Sequence, residues 1–450
     1  MRPAGGARWL ALLGVLAVLG GSPSLADDDD GGGGGGAGGG AGGGGGGGAG
    51  GGDGPDGNAR MPLGGAPPSG RVLQDLRSFL GAFTPGAAAP PAPPPAPVAV
   101  APAAAPRPAQ PPARPDSIPR ELAIIGLDDA ALARLQAAGF TVIEEAPAGF
   151  LPGRVARLGL PTGLSAAAAR DRARALAPAA RVDLNHLYRP GQAAPMAGPA
   201  MPLATPTNCP AARIGMIDTG IDPDAPALAG LPIERVTRRG AGRAPSSPTH
   251  GTAVAALLAA QLGQAPILAI DAFHRGPDGD VADAFDLAAA LGLMLQQGVL
   301  VVNLSFAGPA NEVLALATER AAASGLLLAA AAGNEGQASP PRYPAAYPWV
   351  IAVTAVDRER RPFIRAGRGS HVAFAAPGVG LPAPAGRGTL SGTSYAVPFV
   401  AAAYAQAMVV LDAPTATQRL ARAALDLGAP GRDPVYGHGL VRPLPGCGAG

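Results

Sequence analysis

From residue 213 onward the chain alternates short apolar runs with longer Ala- and Leu-rich stretches, and this alternation constrains the fold more than any other feature. The runs at 214–218, 267–273, 299–306, 326–334 and 350–356 are mostly apolar on both faces. A strand with one wet face would alternate apolar and polar residues, so continuous runs predict strands buried on both sides, as in a parallel sheet. Between and after them, 252–262, 281–297 and 312–324 read as helices, followed by a long apolar helix over 394–411. Together these predict an α/β domain: an open, mostly parallel sheet with helices on both faces. Ligands of such sheets bind at the carboxyl ends of the strands, and Asp218, Ser305 and Asn334 stand at those ends.

What precedes this domain is segregated by composition. Arg2 and Arg8 lead into an apolar run over 9–20, then small residues at Ser24 and Ala26. That is the pattern of a secretory signal cut after Ala26. The run is too short to cross about 30 Å of hydrocarbon at about 1.5 Å per residue, so an exported protein, periplasmic or secreted, without a transmembrane segment is expected. Residues 27–120 are low in complexity: Asp27–Asp30, a glycine tract over 31–52, and a Pro/Ala-rich spacer over 87–115. Such chains bury too little to order themselves and are expected to be disordered tethers. Leu73, Leu76, Leu80 and Phe83 would share one face of a short, marginal helix.

A second, smaller module is expected at 121–190. Strands over 122–127, 140–145 and 181–188 and helices over 128–139 and 165–176 would make an α+β unit, with a Pro/Gly-broken stretch between 145 and 165. A Pro-rich linker, 191–208, joins it to the large domain at 209–450. Net charge is only +2, with no lysine and no basic block, so no nucleic-acid partner is expected. Two cysteines exclude a disulfide-dense scaffold and a four-thiolate zinc site, while export makes a Cys209–Cys447 disulfide an expectation.

Four short motifs carry the chemistry. Ile217-Asp-Thr-Gly-Ile-Asp222 puts Asp218 at the end of the first strand. Asp-Thr-Gly also serves aspartic proteases, but those need two carboxylates sharing a proton, and this chain has no second copy. Thr249-His-Gly-Thr-Ala-Val-Ala255 places His250 immediately before a small-residue helix, with Gly251 allowing another backbone to approach. Gly388-Thr-Leu-Ser-Gly-Thr-Ser-Tyr-Ala-Val-Pro398 presents Ser394 at a helix start, where the positive end of the helix favours a developing anion. Ala331-Ala-Gly-Asn-Glu-Gly336 ends a strand with Asn334, a neutral amide donor. Singly, each also reads as a turn Asp, a surface His, an N-cap Ser or a left-handed Asn.

In the order Asp, His, Ser the motifs resemble the subtilisin-like serine peptidases (subtilases) over roughly 213–443. Val302-Asn-Leu-Ser305, Tyr343-Pro and Tyr347-Pro, Ala376-Pro-Gly378 and Tyr436-Gly-His-Gly-Leu-Val441 add to the resemblance. It implies Ser394 as nucleophile, His250 as general base and then acid, and Asp218 as the group that fixes the imidazole. It further implies an oxyanion hole from Asn334 and the Ser394 backbone N–H. Ser305, Phe306 and Ala307 would form an edge for substrate, and Ala332 and Gly333 a wall of the first specificity pocket.

The resemblance makes polypeptides the substrates and makes the 121–190 module a propeptide-like partner. Cleavage is expected within 189–208, with a monomeric product. Competing readings are a catalytically silent binding module and a tethered surface factor. Tyr395, Val397, Phe399 and Ala256 depart from the family's usual residues at non-catalytic positions. Arg342, where a small residue is usual, is expected either to narrow the pocket or favour acidic or small polar side chains, or to point to solvent from a Pro-rich loop. No cofactor is expected. For structural calcium, the family's usual stabiliser, the candidate cluster is Asp278, Asp280, Asp283 and Asp286, which lacks an EF-hand pattern and suits a helix start.

Overall fold

The computed structural model describes residues 114–147, 149–191, 209–384, 388–442 and 444. The signal-like segment, the glycine tract, the 71–83 island, the bulk of the linker and Cys447 lie outside these residues, and with Cys447 the expected disulfide. Cys209 is half-buried.

The body is built on seven parallel strands: β5 (Ile214–Asp218), β6 (Ile233–Thr237), β7 (Ile267–Asp271), β10 (Val301–Leu304), β12 (Leu327–Ala331), β13 (Ile351–Val356) and β14 (Val372–Pro377). Their order is β14-β13-β12-β10-β5-β7-β6. The chain leaves β5 for one edge and returns to β10 beside it, so β5 and β10 flank the point where strand order reverses. That is where open α/β sheets place their sites. Side chains from the two faces enter different cores, Met216 with Ala329 and Val353 in one, Ile217 with Leu304 and Leu328 in the other. Burial on both faces is the reason the strand sequences do not alternate.

Helices α3 (Pro248–Leu262) and α6 (Thr393–Ala407) cover one face, and α4 (Ala284–Gln296) and α5 (Glu312–Ala323) the other. Helix α3 starts earlier than the 252–262 reading, so His250 lies within its first turn. Ser247 caps it through Thr249 N–H, and Pro248 takes a first-turn position where a missing N–H costs little. Residues 279–283 form a strand, β9 (Gly279–Asp283), paired with β8 (His274–Gly276), and the helix read as 281–297 begins only after it. The long 394–411 helix ends at Ala407, and a separate helix, α7 (Ala413–Ala423), follows under an Asp412 cap.

The small module is a βαββαβ unit: β1 (Ser117–Leu127), α1 (Asp129–Ala137), β2 (Thr141–Ala146), β3 (Arg154–Gly159), α2 (Ala166–Leu176) and β4 (Arg181–Pro190), in the order β2-β3-β1-β4. It begins before residue 121. Strand β3 occupies the stretch that the sequence suggested was broken, because its glycines and prolines cluster outside 154–158. Alternation explains the continuous run in β1. Leu122 and Ile124 enter the module's own core with Leu135 and Leu158, whereas Ala123 and Ile125 join the body's core with Phe285 and Leu291. One sheet face is thus covered only by the body.

Two helix starts of the body receive the module. Asp183 accepts from Glu312 N–H at the start of α5 (3.0 Å). At the start of α4, the guanidinium of Arg157 on β3 lies 3.1 Å from Asp283 and 3.0 Å from Asp286, both fully buried. Arg238 bridges Asp286 and Glu144, and Arg243 bridges Asp283 and Glu121. Of the calcium candidates, Asp283 and Asp286 face guanidinium groups, and Asp280 accepts from Ser247 N–H and pairs with Arg275. Arg157→Ala is expected to lower stability by about 2 kcal/mol in chemical denaturation. That is less than an isolated buried pair would cost, because Arg238 and Arg243 remain.

The network also sets a pH dependence. Burial, and then Asp283 alongside, push Asp286 up to about 7, while burial and then Arg243 push His274 down to about 4. For Asp286, stability is fully present below its ordinary value near 3.8 and is lost as pH rises through about 7. For His274, stability is complete above its ordinary 6.5 and is lost as pH falls towards about 4. Over this shared window the two slopes oppose each other. His274→Gln should therefore expose a stability that falls as pH rises from about 4 to about 7, read by denaturation at each pH. An unchanged profile would contradict the assignment.

Candidate active site

Asp218, the last residue of β5, is 1% exposed, and its Oδ1 accepts from Thr219 N–H (2.7 Å). The same oxygen lies 2.7 Å from His250 Nδ1. A carboxylate only accepts, so this bond places the imidazole proton on Nδ1 and leaves Nε2 with a lone pair. Nε2 is buried without a hydrogen-bond partner. Gly251 has to be glycine here: a Cβ would lie 2.3 Å from the carbonyl oxygen of Thr219 and 2.5 Å from that of Gly220. Gly251 N–H donates to Thr219 Oγ1 (2.8 Å), which draws the start of α3 against the end of β5.

Ser394, fully buried in the first turn of α6, donates from Oγ to the carbonyl of Ser305 (2.7 Å). Ser305 Oγ donates back to the carbonyl of Ser394 (2.7 Å) and accepts from Asn303 Nδ2 (2.8 Å). The imidazole and carboxylate are therefore joined, whereas the serine hydroxyl is turned towards Ser305. The Tyr395 and His250 rings are 5.3 Å apart between centroids, so the imidazole lies against the residue that follows Ser394.

Asn334 stands three residues past β12. Thr393 N–H and Oγ1–H both donate to its Oδ1 (3.0 Å each), which fixes the amide so that Nδ2 points outward. Nδ2 donates to the carbonyl of Gly191 at 2.5 Å. Residues 189–190 extend β4 along β11 (Phe306–Ala307), pairing Phe306 with Pro190 and Ala307 with Arg189 in antiparallel register. Gly191 N–H continues the ladder to Ser305 (3.4 Å). The end of the module therefore lies as an added strand against Ser305, Phe306 and Ala307, with the Gly191 carbonyl on the Asn334 amide and the residue itself against Ser394. Ala332 and Gly333 join β12 to Asn334 in the chain, and the stem of Arg342 packs on Gly333.

The subtilase family model matches residues 211–439, half of the chain. The chain belongs to the subtilase family. This subtilase is 32% identical over 257 residues to subtilisin E of Bacillus subtilis, covering 51% of this chain and 64% of that protein. It is equally identical to a subtilisin of Bacillus pumilus, of which 88% is covered. Against the minor extracellular protease Epr of Bacillus subtilis it is 30% identical but covers only 37% of that protein. In fold it is similar to fervidolysin from Fervidobacterium pennivorans, with a TM-score of 0.58 and 21% identity over 73% of this chain and 60% of that one. That share exceeds the family match, so the likeness in fold reaches into the segment before residue 211. Among the described residues, no helix of this subtilase is long and apolar enough to cross a membrane.

Thr393, Thr219 and Asn303 lie inside motifs quoted from the sequence, but the sequence alone assigns them no role, and their orienting hydrogen bonds show only once the loops meet. The sequence puts the expected cut within 189–208 but does not single out Gly191, because a Pro/Gly linker carries no signal for pairing.

Proposed function

We propose that this subtilase is an exported serine endopeptidase, made as a precursor that cuts itself after Gly191 and acts on polypeptides. The observation that carries the reading is the Gly191 carbonyl, held by Asn334 Nδ2 at 2.5 Å beside Ser394. After rotation of the Ser394 side chain away from Ser305, Oγ attacks this carbonyl carbon while His250 Nε2 takes the hydroxyl proton. Asp218 holds the resulting imidazolium through Nδ1–H. Charge grows on the carbonyl oxygen, where Asn334 and the Ser394 N–H stabilise it; N–H groups in the first turn of α6 have no partner within the helix. The amine of Gln192 leaves with the proton from His250. Water then attacks the acyl-enzyme and releases the Gly191 carboxylate.

In this reading the 117–191 module is an internal inhibitor, occupying the strand-addition edge that a substrate would use. Signal cleavage after Ala26 and export complete the proposal. The silent-module reading has in its favour only the orientation of Ser394 Oγ towards Ser305. One assay decides between them: hydrolysis of an unfolded protein such as casein by the exported protein, with and without a fluorophosphonate. Activity blocked by the reagent and absent from His250→Ala supports the peptidase. Activity that survives either treatment would refute the triad, and none in the untreated protein would favour the silent module.

A further inference from the structure

Asp271 is a second carboxylate beside the triad, with no part in the steps above. It ends β7 as Asp218 ends β5, and the two are register partners on neighbouring parallel strands. Side chains at such a pair leave the sheet on the same face, yet only Asp218 bonds to the imidazole. Asp271 Oδ1 accepts from Phe273 N–H (3.2 Å) and from the hydroxyl of Ser246 (3.0 Å), and Oδ2 accepts from Arg239 (2.6 Å). Burial pushes this carboxyl above its ordinary value, and the Ser246 hydrogen bond and the Arg239 charge oppose it.

The Ser246 hydroxyl therefore has a fixed direction. A carboxylate only accepts, so Ser246 donates to Asp271 and turns a lone pair to Gly220 N–H, which donates to it (2.9 Å). Gly220 belongs to the turn that follows Asp218, and Ser246 stands next to Ser247, the cap of α3. Two more bonds cross the same seam: Gly251 N–H to Thr219 Oγ1 (2.8 Å) and Asp222 N–H to Thr252 Oγ1 (2.9 Å). Together they hold the turn after Asp218 against the helix start that carries His250. Only the bond at Ser246 is anchored outside both segments, on β7, by a charged pair. Without that anchor the hydroxyl is free to rotate and Gly220 N–H loses its acceptor. Ser246 is only 9% exposed, so water is poorly placed to take over.

Resting on the peptidase reading, we propose that Asp271 is a positioning residue: through Ser246 it fixes the turn after Asp218 against the start of α3 and so sets the contact between Asp218 and His250. The test uses the full chain. Self-cleavage after residue 191 is timed by intact mass in the unsubstituted chain, Ser246→Ala, Asp271→Ala, the double variant and Ser246→Thr. Ser246→Ala and Asp271→Ala should each slow it by about 10-fold, the effect of one buried donor left without its acceptor. The double variant should also lose about 10-fold rather than about 100-fold, because the two residues act along one path. Ser246→Thr keeps the hydroxyl, and the cavity of about 360 Å³ beside Ser246 has room for the extra methyl. It should cut within about 2-fold of the unsubstituted rate.

In the Ser394→Ala background, which removes the nucleophile, the low-field proton NMR resonance of His250 Nδ1–H reads the bond to Asp218 without any chemistry. It should shift or broaden in Ser246→Ala and Asp271→Ala and stay in place in Ser246→Thr. Asp271→Ser, too short to reach Ser246, replaces Asp271→Ala if that variant does not fold. If Ser246→Ala cuts at full rate, the two losses multiply, or the resonance is unmoved, the positioning proposal is wrong and the peptidase reading stands. If no chain is cut but the resonance follows the expected pattern, the positioning assignment holds and the peptidase reading fails.

Discussion

Ser394→Ala is expected to lower peptide hydrolysis by about 10⁶-fold and to leave the bond after Gly191 uncut. The size follows from what is lost: without Oγ there is no acyl-enzyme, and the His250–Asp218 pair has no proton to accept. Triad members act as a unit, so removing the nucleophile in subtilisin costs about as much as removing the whole triad. What survives, about 10³–10⁴ over water, is the work of the oxyanion donors and the binding edge. Because Ser394 Oγ makes one hydrogen bond, to the Ser305 carbonyl, the substitution should cost little stability. A folded, undigested precursor with unaltered circular dichroism is therefore the expected result. A loss of less than about 100-fold would mean that another group is the nucleophile.

Asn334→Leu should reduce kcat by about 10²–10³ with little change in KM, the loss seen when this kind of donor is removed in subtilisin itself. Leu keeps the approximate size of the side chain but presents no N–H where charge develops. The effect concentrates in kcat because a donor aimed at the oxyanion strengthens as the reaction proceeds. Thr393→Val is the informative companion. It removes one of the two hydrogen bonds to Asn334 Oδ1 and keeps the backbone N–H. A loss of about 10-fold is expected, consistent with one hydrogen bond in an orienting pair. Steady-state kinetics on a single peptide separate the cases, and an Asn334→Leu protein with unchanged kcat would remove Asn334 from the oxyanion site.

The doubly buried strands were legible because burial on two faces leaves apolar runs that no surface strand shows, and all four site motifs mark strand ends or helix starts. The misread parts have physical reasons. Residues 281–283 look helical because Val281 and Ala282 continue the apolar pattern of α4, yet pairing of β9 with β8 and with Leu187 and Tyr188 of β4 claims them for a sheet. Strand β3 was missed because one of its central residues, Arg157, is buried among carboxylates of both domains, tertiary contacts without local signature. His250 was placed before a helix rather than in it because Pro248 can open a helix as readily as precede one. The arrangement of Gly191, Asn334 and Thr393 depends on loops distant in sequence meeting at one point, which periodicity does not encode.

The central claim is that an activated Ser394 cuts this chain after Gly191. It is tested most directly by the intact mass of the exported protein after a fluorophosphonate, beside Ser394→Ala. The account predicts one adduct on a wild-type chain whose new N-terminus is Gln192 or a later linker residue, and an unlabelled mutant that retains the 117–191 module. A wild-type chain that keeps the module attached and takes no adduct would contradict it.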